Sequence, residues 1–198
     1  MKKTVLLGAL AVAVTSSGWV YAYRATLAPK PNFVQSMDRH ASRAIWFGNN
    51  TITGQFHLAH GSPVWKDEYV ARRDSLPIGQ RLRFGKDFWT TFETNVPVTI
   101  GGARLEPNYY YLAIERTEES FQLVAFEADR LRAQRVPSFQ PPQQGGVAIP
   151  MALTEGEDVE DELMIDFVVD NGTGAVELEV AWGPYTLNAP VVAEIATE

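Results

Sequence analysis

Apolar and polar side chains exchange places at every second residue through much of this chain, the period of a β-strand with one buried face. The first clear instance is residues 52–60, where Ile52, Phe56, Leu58 and His60 share one parity and Thr53, Gln55 and His57 the other. Leu82 and Phe84 alternate with Arg81 and Arg83, residues 88–92 are aromatic or β-branched, and Val96, Val98 and Ile100 alternate with Pro97 and Thr99. Aromatic and β-branched content of this kind suits a pleated, half-buried surface. Gly101-Gly102 then predicts a turn. Residues 109–115 and 121–127 read as two strands joined by a polar link, hence a hairpin. The strongest pair comes later, where Leu163, Ile165, Phe167 and Val169 lead into Asp170-Asn171-Gly172-Thr173-Gly174, followed by Val176, Leu178, Val180 and Trp182. Those turn residues tolerate positive φ. Further strands are expected over residues 147–153 and, after Gly183-Pro184, over 185–195.

Three stretches break the alternation. Residues 127–134, with Ala128 and Leu131 among charges, alone predict a helix. Residues 136–146 hold Pro137, Pro141 and Pro142, whose missing N–H groups bar them from a central strand, so a loop is expected. Residues 155–162 are densely acidic and also read as a loop. The sum is an all-β chain, an antiparallel β-sandwich or partly closed barrel with roughly eight to ten strands and at most one or two short helices. Parallel βαβ architecture would need many more helices.

Composition refines this picture at one end of the chain. Lys2 and Lys3, an apolar run over residues 5–14 and the small residues around Val20-Tyr21-Ala22 read as a signal peptide spanning residues 1–22. The run is shorter than the ~20 residues of a membrane span, so export to the periplasm or beyond is expected, with no integral span in the mature protein. Residues 23–48 read as an extended or short-helical lead-in, and 49–198 as a single β domain. The formal charge of the whole chain is −7, and loss of Lys2 and Lys3 makes the remainder more acidic. A phosphate backbone or an anionic bilayer would repel it, which excludes nucleic acid as a partner class. There is no cysteine, hence no disulfide and no thiol for lipid attachment.

The run 56–69, then Arg83-Phe84-Gly85-Lys86-Asp87, Val98-Thr99-Ile100-Gly101-Gly102-Ala103-Arg104-Leu105, Tyr109-Tyr110-Tyr111-Leu112, residues 146–151 and Val180-Ala181-Trp182-Gly183 together resemble the family called domain of unknown function 2911. That family's usual Asn-Glu pair is replaced here by Asp87 and Phe88. The resemblance implies an exported bacterial β-rich domain and carries no catalytic residue with it.

Candidate chemistry is sparse. His57 and His60 lie three apart, which on a strand places them on opposite faces and speaks against a shared metal; no metal or cofactor is expected. Ser62, in His60-Gly61-Ser62-Pro63, lacks the second glycine of a nucleophile elbow. Aromatic rings are abundant, and those on an outward parity offer flat faces for sugars or peptides. Arg72, Arg73, Arg81 and Arg83 are expected to pair with the plentiful acids. The ligand-binding candidates are therefore His57, His60, Trp65, Arg83, Asp87, Tyr109 and Tyr111. They suggest a non-catalytic binding or structural module of the bacterial envelope, with a carbohydrate, a peptide or an envelope protein as partner. The alternative is a hydrolase-type or metal-assisted enzyme with a pocket around His60 and Arg83.

Overall fold

The computed structural model describes residues 40–48 and 53–194. The expected signal peptide, most of the lead-in and the last four residues lie outside the described residues. Eleven strands and two short helices are present among those described. Seven strands form one antiparallel sheet in the order β1 (His40–Gly48), β2 (Thr53–Gly61), β4 (Thr90–Thr94), β7 (Asn108–Arg116), β8 (Phe121–Glu127) and β9 (Val147–Pro150), with β3 (Arg81–Arg83) also pairing with β7. Four strands form the other, in the order β10 (Ala152–Val169), β11 (Val176–Ala193), β5 (Val98–Ile100) and β6 (Ala103–Leu105). Neither sheet closes, so the architecture is a sandwich.

The period-two pattern places the core. Phe56 and Leu58 of β2, Phe92 of β4 and Tyr110 and Leu112 of β7 point inward from the first sheet, and Leu163, Ile165, Phe167, Leu178 and Val180 from the second. The layers interlock through rings, with Phe167 5.6 Å from Phe56 and 6.2 Å from Phe92. Offset and tilted arrangements of this kind suit the quadrupoles of the rings. At the outer face of the first sheet, Ala113, Val124, Phe126 and Leu131 form a second, smaller core. Leu131 belongs to α2 (Ala128–Ala133), the helix expected from the sequence. The proline-bearing loop 136–146 is tied down beside it by Arg81, which donates to the carbonyls of Pro142 at 3.1 Å and Gly145 at 2.8 Å and pairs with Glu115.

The hairpin of β10 and β11 turns where the sequence signalled it. Asp170 accepts from the Gly172 N–H at 2.8 Å and the Thr173 hydroxyl at 2.7 Å. The Thr173 hydroxyl, then the Gly172 N–H, holds the Asp170 carboxyl below the usual aspartate range.

Four expectations require correction. The acidic run 155–162 lies inside β10 and is not a loop. Its side chains all face solvent, and two irregularities in register, between Glu155 and Glu160 and between Glu160 and Met164, erase the alternation that would have revealed a strand. β11 continues through Gly183-Pro184 where a break was expected, with Gly183 opposite Glu160. An eight-residue helix, α1 (Glu68–Ser75), occurs where none was expected; it buries no residue, so it carries no apolar stripe to detect. Finally, residues 40–48 of the lead-in are strand β1, which pairs along its length with β2. As an edge strand its faces are nearly all exposed, and only Ala41, Ile45 and Phe47 are half-buried. No helix among the described residues is long and apolar enough to cross a membrane.

Candidate functional site

The chain between β3 and β4 determines one wall of the site. β3 and β4 pair with the same side of β7, β3 through Arg83 opposite Ala113 and β4 through Thr90 opposite Leu112. Residues 84–89 therefore loop away from the β7 edge and return. Their loop is pinned to the end of β2 by a bond from the Lys86 N–H to the Gly61 carbonyl at 3.0 Å, and by the buried Thr90 hydroxyl, which donates to the Phe84 carbonyl at 2.6 Å. Gly85 has φ 87°, and a Cβ there would lie 2.7 Å from the Thr90 hydroxyl, so the bend needs glycine for both conformation and space.

The opposite wall comes from the second sheet and from the chain leaving β2. Residues 63–65 run beside the bulged part of β10, with the Trp65 N–H donating to Asp161 at 2.7 Å and the Leu163 N–H to Pro63 at 3.0 Å. Trp65 thereby meets Trp182 of β11 edge to face at 5.1 Å, Tyr69 of α1 at 5.7 Å and Tyr185 at 5.8 Å. The Trp182 indole N–H donates to the Pro63 carbonyl at 3.0 Å, which satisfies its one polar group. The result is an aromatic ledge between the two sheets, roofed by α1.

Behind the ledge lies a cavity of about 440 Å³, a size ordinary for small-molecule sites. Its interior is apolar, with Leu82, Phe84, Ile114, Phe121, Leu153 and Leu163, and its charged lining residues are Arg72, Arg73 and Arg83. Arg73 is engaged, with its Nε donating to Asp74 at 2.9 Å and its guanidinium 4.5 Å from the Tyr185 ring centre. The expectation that the four arginines pair with acids thus holds for Arg73 and Arg81, while Arg72 and Arg83 have no carboxylate within ion-pair distance among the described residues.

Of the seven residues proposed from the sequence, Trp65 and Arg83 line this cavity together and the other five do not. His57 lies on the outer face of β2, its Nε2 2.7 Å from the Ser42 hydroxyl of β1. His60 points the other way and is buried, 3.4 Å from the equally buried Ser62 hydroxyl. Asp87 adopts φ 65° in the loop and lies 3.6 Å from His40 and 3.7 Å from Lys86. Tyr109 and Tyr111 belong to a separate cluster on the outer face. There Trp89 stacks on Tyr111 at 5.1 Å with planes 2° apart, and the Arg132 guanidinium of α2 covers Tyr109 at 4.7 Å and Tyr111 at 5.3 Å. Arg132 also donates to the Tyr111 hydroxyl at 2.8 Å. Tyr111 is thus stacked on Trp89 and held by Arg132, and this cluster fastens α2 to the sheet.

Tyr69 and Tyr185 complete the site without having been expected from the sequence, and Arg72, expected to pair with acids, lines it as well. The available signal was Gly183 itself: at φ 61° it shifts the alternation of β11, so that Trp182 and Tyr185, three apart, both reach the ledge.

Burial pushes the His60 imidazole below its ordinary pKa of 6.5, with Arg43 and His40 acting in the same direction and the Gly61 backbone and Asp166 opposing. An unfolded chain takes up a proton near pH 6.5 that the folded chain declines until lower pH. Stability therefore falls as pH drops through that window and levels off below the lowered value. Chemical denaturation of His60→Gln between about pH 5 and 7 is expected to show a flatter pH profile than the parent. Parallel profiles would mean that His60 exchanges protons equally in both states.

No family model matches the chain, and neither the curated proteins nor the solved structures yield a match.

Proposed function

We propose that this chain is an exported, non-catalytic binding module that holds a small apolar ligand in the cleft between its sheets. The observation that carries this reading is the cavity itself, an apolar interior behind a ledge of Trp65, Tyr69, Trp182 and Tyr185. The sequence had pointed to a carbohydrate, a peptide or an envelope protein on an outward aromatic surface. The cleft favours a molecule that enters instead, because the outward Tyr111 is already stacked on Trp89 and bonded through its hydroxyl to Arg132. Export rests on the signal-like residues 1–22, and we also propose membership of the family called domain of unknown function 2911 on the motifs quoted above.

The hydrolase alternative lacks support in the geometry. His60 and Ser62 are 4% and 6% exposed and neither lines the cavity, whereas a nucleophile and its base must reach the substrate. His57 lies on the other face of β2, and a metal shared with His60 would need both rings on one side.

The test uses N-phenyl-1-naphthylamine, a neutral apolar dye whose fluorescence rises in a dry site. It is expected to bind saturably at one site. Ile114→Trp and Leu153→Trp, which put bulk into the cavity, should each weaken binding by roughly tenfold or more, because the apolar contact area is lost. His60→Gln should bind as the parent does. Absence of saturable binding, or equal binding by both filled variants while their circular dichroism is native, would end the proposal.

A further inference from the structure

The charge at the cleft is opposite to that of the protein as a whole. The chain carries 24 acids against 17 lysines and arginines, yet the charged residues lining the cavity are three arginines and no acid. Arg73 already serves Asp74 and the Tyr185 ring. Arg72, in the last turn of α1, and Arg83, at the end of β3, are exposed and lack a carboxylate partner among the described residues. Arg81, two residues from Arg83 on the same strand, shows the contrast: it pairs with Glu115, whose other oxygen accepts from Gln122 at 2.6 Å. Two elements from different parts of the chain thus bring to one apolar opening guanidinium groups with no carboxylate partner among the described residues.

Resting on the reading of the cleft as a binding site, we infer that its ligand is an amphipathic organic anion, with a hydrocarbon body and a single carboxylate or sulfate head. The body occupies the apolar interior around Leu82, Ile114 and Leu163, where each buried methylene contributes through removal of apolar surface from water. The head stays at the opening and takes charge-assisted bonds from Arg72 and Arg83. A guanidinium suits this task because its planar fork of donors matches a carboxylate or sulfate and its charge persists at every physiological pH. Neutral sugars and uncharged lipids would leave both arginines without a counterpart.

The experiment is calorimetric titration of the whole chain with octanoate, decanoate, decyl sulfate and 1-decanol. Decanoate and decyl sulfate are expected to bind at one site, at least tenfold more tightly than decanol. Affinity should rise about fourfold for each methylene between octanoate and decanoate. The double variant Arg72→Gln, Arg83→Gln changes only exposed side chains and is expected to keep the parent's circular dichroism. It should reduce decanoate to the affinity of decanol and leave decanol unchanged. Decanol binding as tightly as decanoate, or a double variant that keeps the preference for the anion, overturns the inference and leaves the cleft as a neutral apolar site. If none of the four binds and N-phenyl-1-naphthylamine does not bind either, the reading of the cleft falls with it.

Discussion

Phe56→Ala is expected to lower the free energy of unfolding by about 3–5 kcal/mol, the usual result of removing a large aromatic ring from a closed core. Phe56 is 2% exposed and lies 4.8 Å from Phe47, 5.8 Å from Phe92 and 5.6 Å from Phe167. One side chain therefore joins three strands of the first sheet to β10 of the second. Its loss leaves a void bounded by rings whose own strands hold them in place, and little of the cost can be recovered by collapse. A loss of this size is a large share of the stability of an ordinary domain. Urea denaturation followed by tryptophan fluorescence would measure it. A change below about 1 kcal/mol would mean that the two sheets do not depend on this contact. Phe56 does not line the cleft, so the folded variant is expected to bind N-phenyl-1-naphthylamine normally.

Gly183→Ala should affect both properties. Gly183 has φ 61°, and a Cβ there would lie 2.4 Å from the Trp65 indole. The left-handed conformation costs a non-glycine residue about 1–2 kcal/mol, and crowding of a packed neighbour adds about 1–3 kcal/mol. Trp65 can yield only by leaving the ledge it forms with Tyr69, Trp182 and Tyr185. The expected result is a stability loss of about 2–5 kcal/mol together with dye binding weakened by tenfold or more. The comparison with Phe56→Ala is the informative part. A destabilised core with an intact cleft and a destabilised cleft should differ in binding when both are measured under conditions where each is folded. Equal binding by the two variants would show that Gly183 and Trp65 do not shape the site.

The seven candidate residues divide according to what strand parity can and cannot report. Parity correctly set His57 and His60 on opposite faces, because side-chain direction in a strand is a local property. It could not say that Trp65, on the segment between β2 and α1, would meet Trp182, more than a hundred residues later. Nor could it separate Arg83, which lines the cleft, from Arg81, which pairs with Glu115. Both occupy the same face by period, and the difference arises because β3 ends at Arg83 and the chain then turns away.

By itself the amino-acid order determined that this is an all-β chain of antiparallel strands, a sandwich or partly closed barrel, where the hairpin after Val169 turns, that residues 136–146 stay out of the sheets, and that Phe56, Leu58, Leu163, Ile165 and Phe167 are buried. Those properties follow from the pleat and from the conformations each residue allows, which act over a few positions. Only the tertiary structure decided that an acidic run with no buried face would serve as strand, that β11 would pass unbroken through Gly183-Pro184, and that α1 would sit over an aromatic ledge. Each of these depends on backbone partners supplied by distant segments, whose hydrogen bonds leave no periodic trace in the residues they recruit.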